Sequence, residues 1–514
     1  VHHSSSSPAF GDEYTEGVVG NPATSNPLLA QNGAELDLSR LTYRGLFQHD
    51  ANGQLVPDLA QDWSLSPDHK TYLVNLKPSL QWSDGYPLNA DDITFTFQTL
   101  QNSALKSPLR QSFAGVTIKQ QGSATVSFSL PTSYPNFLEG LTVGLLPAHI
   151  WSKVSLDDWL SSPANFAAVG SGPWRYQALT RDSASNLKSY TLEPNPLTHT
   201  QKPFLTKVIL RFYPDTVSLV EDLRQSVLDG VGGNDPDIES AISASKFTNS
   251  DLKLPQYTAL FYNQRDPLLK SRTLRQALGY AINRTELLQH TADGGTVPTF
   301  GPFLQSELRP NSPIRFNLEK TEELLGQAGY KRNAEGVYQN NGANLEVTLT
   351  AVDQGAAVLV AGAIKQQWET AGIKVNLNFV PNSKLLDEVI TPRNFQVLLL
   401  REVVGVGNDL YPFWHSSQVA APGLNLSGFQ NREADRLLSE ARQSSDATLR
   451  QANYQRIAQI LNDDSPATFL YSETYRYALA KDLSPQLPEV IAQPADRFNT
   501  LNQWYRKTTR RWNR

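Results

Sequence analysis

The chain has 514 residues, well past the length at which one hydrophobic core stops growing, so two or three lobes are expected. Hydrophobic residues at 39% and aromatics at 10% supply ample core material, and a formal net charge of −5 gives no electrostatic case for nucleic acid. The absence of Cys excludes disulfides, thiolate catalysis and iron–sulfur or thiolate zinc sites.

The opening "VHHSSSSPAF" reads as an expression scar or flexible stalk, and residues 1–13 are expected to be disordered. The chain does not start with Met and is read as a processed or trimmed form, any upstream signal or anchor being out of view. No run of eighteen apolar residues occurs, so no membrane span is expected within the sequence.

In the first half, "TYLVNLK" (71–77), "GVTIKQQ" (115–121) and "SATVSFSL" (123–130) alternate with period two, which predicts short antiparallel strands. Between them "NADDITFTFQTLQ" reads as a helix capped by Asn89, with Asp91 and Asp92 at its positive end. This region is α+β.

The second half changes character near "LPQYTALFYNQRDPLLKS" (254–271). Leu274, Ala277, Leu278, Ala281 and Ile282 follow the spacing of a core-facing helical stripe. A second helix starts after Asn317 and is closed by Gly329. The strand "LEVTLTAV" (345–352), the helix "GAAVLVAGAIKQQWETAG" and the strand "IKVNLNFV" (373–380) make a βαβ unit, hence parallel strands and an α/β lobe. The apolar run "FQVLLLREVV" (395–404) predicts a buried strand. Two amphipathic helices and a last strand, "ATFLYSE" (467–473), follow. The basic end "RKTTRRWNR" is read as a solvated tail.

Catalytic signals are weak. No G-x-S-x-G, P-loop or H-E-x-x-H pattern occurs, and "GVGND" (405–409) lacks the third glycine of a dinucleotide site. Adjacent acids such as Asp91 and Asp92 diverge by about 100° on a helix and cannot flank one bond. His415 beside Ser416 has no evident orienting group. No cofactor and no metal site is expected. The loop "GVGNDLYPFWHSSQ" (405–418) lies beyond the C-terminal end of the buried strand, where ligands sit in open α/β sheets.

Several motifs stand in a fixed order. They are Ala60 and Trp63, Ser66 to Asp68 with Tyr72, Trp82 to Gly85, Ala90 to Asp92, "VGSGPWRY" (169–176), "RTLRQALGYAINR" (272–284), "LEKTEELLGQAGY" and "GFQNREADRLLSEAR" (428–442). Together they resemble the bacterial extracellular solute-binding proteins of family 5, the peptide/nickel/opine-binding receptors of ABC importers. The likeness runs from about residue 14 to 480. Trp63 and Trp82 are expected as core rings beneath the Asp84-Gly85 turn.

The resemblance implies a type II periplasmic-binding-protein-like fold (cluster C): three lobes, with two α/β lobes around a hinge and an extra α+β subdomain. The expected division is 14–45, 166–258 and 480–514 for lobe I, 46–165 for the subdomain and 259–479 for lobe II. It also implies a monomeric receptor that closes on a small solute, short peptides first, and docks on a membrane permease without enzymatic chemistry or nucleic acid. Oligosaccharides and metal chelates are the alternative ligands. A cleft enzyme such as a glycoside hydrolase is the alternative class, and a cell-surface adhesion role a third. The location that the resemblance implies is extracytoplasmic, either periplasm or cell surface.

By the same resemblance, the acid that pairs with a peptide ammonium falls at Val406, which is uncharged, while the second acidic position is kept as Asp409. Either Asp409 takes the ammonium, helped by Gly405 and Gly407, or the ligand lacks an amine and stacks on Tyr411 and Trp414. Phe413 and one other ring of this loop are expected in the core. Arg401 is a candidate for the ligand carboxylate or for a structural ion pair, with Glu402 or another acid. Asn32 and Gly33 are candidate backbone contacts from lobe I, and Tyr262 and Asn263 are placed at the lobe crossover.

Overall fold

Alternation in the first half produces the sheet it predicts. Thr71–Leu76 buries Tyr72, Val74 and Leu76, and it pairs antiparallel with Ala60–Leu65 on one side and Thr125–Ser129 on the other; Thr117–Gln120 completes the sheet. The computed structural model describes residues 4–131, 137–242, 246–290, 295–303, 308–405, 409–421, 423–444 and 446–512. Helix Ala90–Gln101 packs against this sheet. Its capping box is complete: Asn89 accepts from the Asp91 amide, and Asp92 accepts from the Asn89 amide. Asp92 also takes the Trp82 indole N–H at 3.1 Å and the Ala148 amide at 2.8 Å. The paired acids of the signature are therefore scaffold. Trp82 lies in the core as expected, but Trp63 does not: it is 41% exposed on the edge strand Ala60–Leu65, resting against Tyr72 at 5.9 Å. An edge strand lacks the second neighbour that would have covered the ring.

The chain divides into two compact units, Val1–Leu252 with Tyr475–Arg514, and Lys253–Thr474. In the first unit, strands β1 (Glu13–Val19) and β2 (Lys207–Tyr213) are parallel neighbours, with helix α1 (Gly33–Thr42) between them in sequence. The hairpin Trp174–Arg181 and Leu187–Pro194 extends the sheet beyond β2, and Gly230–Gly232 lies on the other side of β1. The C-terminal segment is locked on by charge. Arg497, 2% exposed, pairs with Glu16 at 2.7 Å and Asp37 at 2.6 Å, while Tyr14 and Tyr477 donate to Glu16. Burying this network is tolerable because each charge has an opposite neighbour and several hydrogen bonds.

Both chain ends depart from expectation. Ser4–Ala9 pairs antiparallel with Lys507–Trp512, where a stalk and a tail were predicted. The four serines carry no hydrophobic pattern, but strand pairing uses backbone groups that side-chain periodicity does not report.

The second unit is built on a mixed sheet. Strand β3 (Gln256–Tyr262) is followed by helix α2 (Arg272–Tyr280), whose predicted stripe is buried: Leu274, Ala277 and Leu278, with Ala281 and Ile282 just beyond. The helix ends earlier than its pattern, because Asn283 caps a new turn, Arg284–Leu287, by accepting from the Glu286 amide. Strand β4 (Glu346–Val352), helix α3 (Gly355–Thr370) and strand β5 (Lys374–Val380) form the βαβ unit with parallel strands. Trp368 of α3 is buried and donates its indole N–H to Leu278 O at 3.0 Å. Strand β6 (Val397–Val403) runs parallel to β4 and antiparallel to β3. Helices α4 (Arg432–Gln443) and α5 (Ala447–Asp464) pack together, and the last strand, β7 (Ala467–Ala480), is longer than predicted.

Candidate functional site

Strand β6 sets the site. Val397, Leu398 and Leu399 are buried, which fixes the strand in the sheet, and the character changes at its C-terminal end. There Arg401 and Val403 face solvent, while Glu402, in register with Leu398 on the core face, is buried. The Glu402 carboxyl accepts the Tyr257 hydroxyl. Burial pushes this carboxyl up to about 8, outweighing the Tyr257 bond that lowers it. Arg401, 59% exposed, reaches Glu473 of β7 at 3.2 Å, the structural partner that sequence left open. Gln256 of β3 also donates to Glu473, so the strand ends carry a polar rim.

Beyond β6 the loop builds a layered arrangement. Asp409 is buried; its carboxylate accepts from the Tyr411 amide at 3.2 Å and pairs with Arg442 of α4 at 3.3 Å. Burial raises its carboxyl, against the lowering effect of Arg442 and the Tyr411 amide. The half-buried Tyr411 ring lies between two cationic or polarisable groups. The Arg442 guanidinium is 4.5 Å from its centroid, and the His415 ring stacks at 4.1 Å. Trp414 is 1% exposed among Phe261, Phe429 and Phe469. With Phe413 also buried, the loop's core rings are these two, and Tyr411 keeps solvent access. Val406 and Gly407 lie outside the described residues. Gly405 is described and holds φ +74, a conformation that favours glycine.

His415 and Ser416 form no nucleophilic pair. Ser416 donates its hydroxyl to Asp435 at 2.6 Å, and His415 Nδ1 faces Ser417 Oγ at 2.8 Å.

The remaining candidates occupy other places. Tyr262 is fully buried and hydrogen-bonds Thr468 at 2.7 Å. Asn263 donates to the Phe395 and Arg393 carbonyls, a tie across the start of β6. The chain changes units at Leu252/Lys253 and Thr474/Tyr475, so neither residue stands at the crossover where sequence placed them. In the first unit, Asn32 caps α1 by accepting from the Glu35 amide at 3.0 Å. Glu35 returns the contact and also accepts from Gln31 and Ala23. Gly33 is exposed with open space around its Cα. The second unit thus gathers Arg401, Asp409, Tyr411 and Trp414 at the C-terminal end of β6 and the loop beyond it.

Sequence reasoning named Glu402 only as a possible partner of Arg401, where the structure gives it to Tyr257, and missed Arg442 and Glu473. Glu402 carried a legible signal, since alternation puts an acid on the same face as Leu398 and Leu400. Arg442 carried none, being one of several charges on an amphipathic helix. Among the described residues, no group of three or more His, Cys, Asp or Glu is placed to hold a metal ion. Among them also, no helix is long and apolar enough to cross a membrane.

The mixed α/β architecture is that of a type II periplasmic binding protein, as comparison with known proteins shows. The family model of bacterial extracellular solute-binding proteins, family 5 Middle, matches residues 54–421. The chain belongs to this family, whose members are solute-binding receptors of ABC importers rather than enzymes. It is 26% identical over 499 residues to the oligopeptide-binding protein AppA of Bacillus subtilis, covering 93% of this chain and 90% of AppA. The crystal structure of that AppA with a nonapeptide superposes with a TM-score of 0.60 at 24% identity, over 98% and 100% of the two chains. The unliganded open form of the periplasmic murein tripeptide-binding protein MppA gives 0.80 at 18% identity, over 97% and 98%. NikZ of Campylobacter jejuni, solved with Ni(L-His), gives 0.61 at 22% identity, over 96% and 99%. These structural likenesses establish the fold.

Proposed function

We propose that this receptor captures short peptides outside the cytoplasm, as a monomer, and passes them to an ABC permease. The observation that carries the reading is the end-to-end match with an oligopeptide-binding relative, in which neither chain has a large unmatched part. The polar rim of β6 supports it. Arg401 is exposed enough to exchange Glu473 for a peptide carboxylate, and a guanidinium receives a carboxylate through two parallel hydrogen bonds. Tyr411, half-buried beside Arg442 and His415, offers its hydroxyl. Asn32 and Gly33 offer exposed backbone at the start of α1.

Asp409 is already neutralised by Arg442, and this supports a mode in which Asp409 holds the loop and does not take the ligand ammonium. The peptide is then held by its backbone and its carboxylate. The test compares a free tetrapeptide with its N-acetylated form by calorimetric titration. Equal affinities, within about threefold (under 1 kcal/mol), are expected. A loss of about a hundredfold on acetylation would return an acid to the ammonium site. No binding of any peptide, with saturable binding of a sugar or a nickel–histidine chelate, would overturn the peptide reading itself.

A further inference from the structure

At the other end of β6 lies a pocket of about 470 Å³ that the ligand loop does not touch. Asn263, Arg265, Thr350, Asn378, Arg393 and Gln396 are among its lining residues, and polar side chains dominate its wall. The seven residues of β6, at about 3.3 Å each, put it about 23 Å along the strand from the start of the loop at Gly405, while the far end of the loop returns toward it through Val419, whose carbonyl accepts from Arg393 at 3.4 Å.

The walls are rigid. Gln396 accepts from the Thr348 amide at 2.7 Å and donates to Asp266 at 3.1 Å. Asn263 accepts from the Arg265 amide at 3.1 Å while donating to the Arg393 and Phe395 carbonyls. Asp266, the acid in the lining, is committed to the Gln396 amide and to the amides of Leu268 and Leu269.

The two cations are not balanced in the same way. Among the described residues, no carboxylate lies within ion-pair distance of Arg265 or Arg393, and the Arg265 guanidinium, which is exposed, has no hydrogen-bond partner there. Arg393 is 7% exposed, and its Nε is buried without a partner among the described residues. Its other nitrogens donate to the carbonyls of Ile390, Val419 and Gly423. Carbonyls satisfy hydrogen bonds but leave the net charge in place. Burial, and then the like charge of Arg265, pull the Arg393 guanidinium below its ordinary value. The residue also holds φ +56, a left-handed conformation that disfavours a residue with a Cβ. A strained, buried cation facing a second cation is a poor arrangement for stability alone and a suitable one for an anion.

We propose that this pocket is a binding site for a small oxyanion of the phosphate or carboxylate class, held by Arg265 and Arg393 with amide and hydroxyl donors from the wall. The site is separate from the peptide-contact residues and does not rest on the peptide reading. Arg393 also ties the start of β6 to the segment at 419–423, so an occupant would bear on the far end of the ligand loop.

The test titrates the intact protein with inorganic phosphate and, separately, with succinate, at constant ionic strength set with sodium chloride. The wild type is compared with Arg265→Gln, chosen because an exposed side chain is replaced and folding is preserved, and with Arg436→Gln, an exposed arginine outside the pocket. Saturable binding of either anion is expected. Loss of one charge-assisted contact should weaken it about tenfold or more in Arg265→Gln and leave Arg436→Gln unchanged. Saturation by neither anion, or equal affinity in Arg265→Gln, would overturn the site.

Discussion

Tyr257 donates its hydroxyl to the carboxyl of Glu402, and both groups are buried where β3 and β6 pair. Burial makes Glu402 a carboxyl that keeps its proton up to about 8 against an ordinary 4.5, with the Tyr257 contact opposing that shift only in part. Its folded value lies above its unfolded value, so its contribution to stability is fully present below about pH 4.5 and is lost as pH rises through about 8. The variant Glu402→Gln mimics the protonated form. It should match the wild type in urea unfolding near pH 5 and exceed it by a few kcal/mol near pH 9, on the order of 1.4 kcal/mol for each pH unit separating the folded and unfolded values. A parallel pH profile for the two proteins would show that Glu402 ionises normally in the fold.

Asp409 and Arg442 form a pair with little solvent access, so removing one partner should cost more than neutralising the other. Arg442→Ala leaves a buried carboxylate and strips the Tyr411 ring of its cation; a loss of about 3 kcal/mol is expected. Asp409→Asn keeps an acceptor for the Tyr411 amide and should lose less. Denaturant midpoints with unchanged slopes would measure both. Equal small losses would mean the pair is effectively solvated.

The two tryptophans of the family signature separate packing from exposure. Trp82→Ala should destabilise by about 3–5 kcal/mol, through a cavity and an unpaired bond to Asp92. Trp63→Ala should cost about 1 kcal/mol or less, since the ring is largely open to solvent. Thermal unfolding of the two variants orders them directly, and a reversed order would contradict the assigned packing.

The locked C-terminal segment gives a further expectation. Arg497→Met removes the cation from two buried carboxylates, Glu16 and Asp37, and should cost at least about 3 kcal/mol. Limited proteolysis should then cut the segment after Ala480 before the rest of the chain. A wild-type cleavage pattern would mean the network is dispensable.

These cases show what the sequence could and could not reveal. The βαβ unit was legible because strand and helix periods differ and the strands 346–352 and 374–380 carry clean patterns. The cap at Asn89 and the turn at Gly85 were legible because few residue types serve there. Long-range pairing was not. Nothing local joins Arg497 to Glu16, Arg442 to Asp409 or Ser4–Ala9 to Lys507–Trp512. Trp63 was misplaced because its strand pattern does not say which strand lies at the edge. In the loop, three rings with similar chemistry divided into two core rings and one accessible ring, a division set by Phe261, Phe429 and Phe469, which come from other parts of the chain.

The decisive measurement is native mass spectrometry of the gently purified receptor, followed by denaturing release and identification of what it carried. A series of short-peptide masses is expected, with the series lost from an Arg401→Ala, Tyr411→Ala double variant that still folds. A single sugar or metal-chelate mass, retained by that variant, would contradict both the peptide reading and the placement of the ligand at the end of β6.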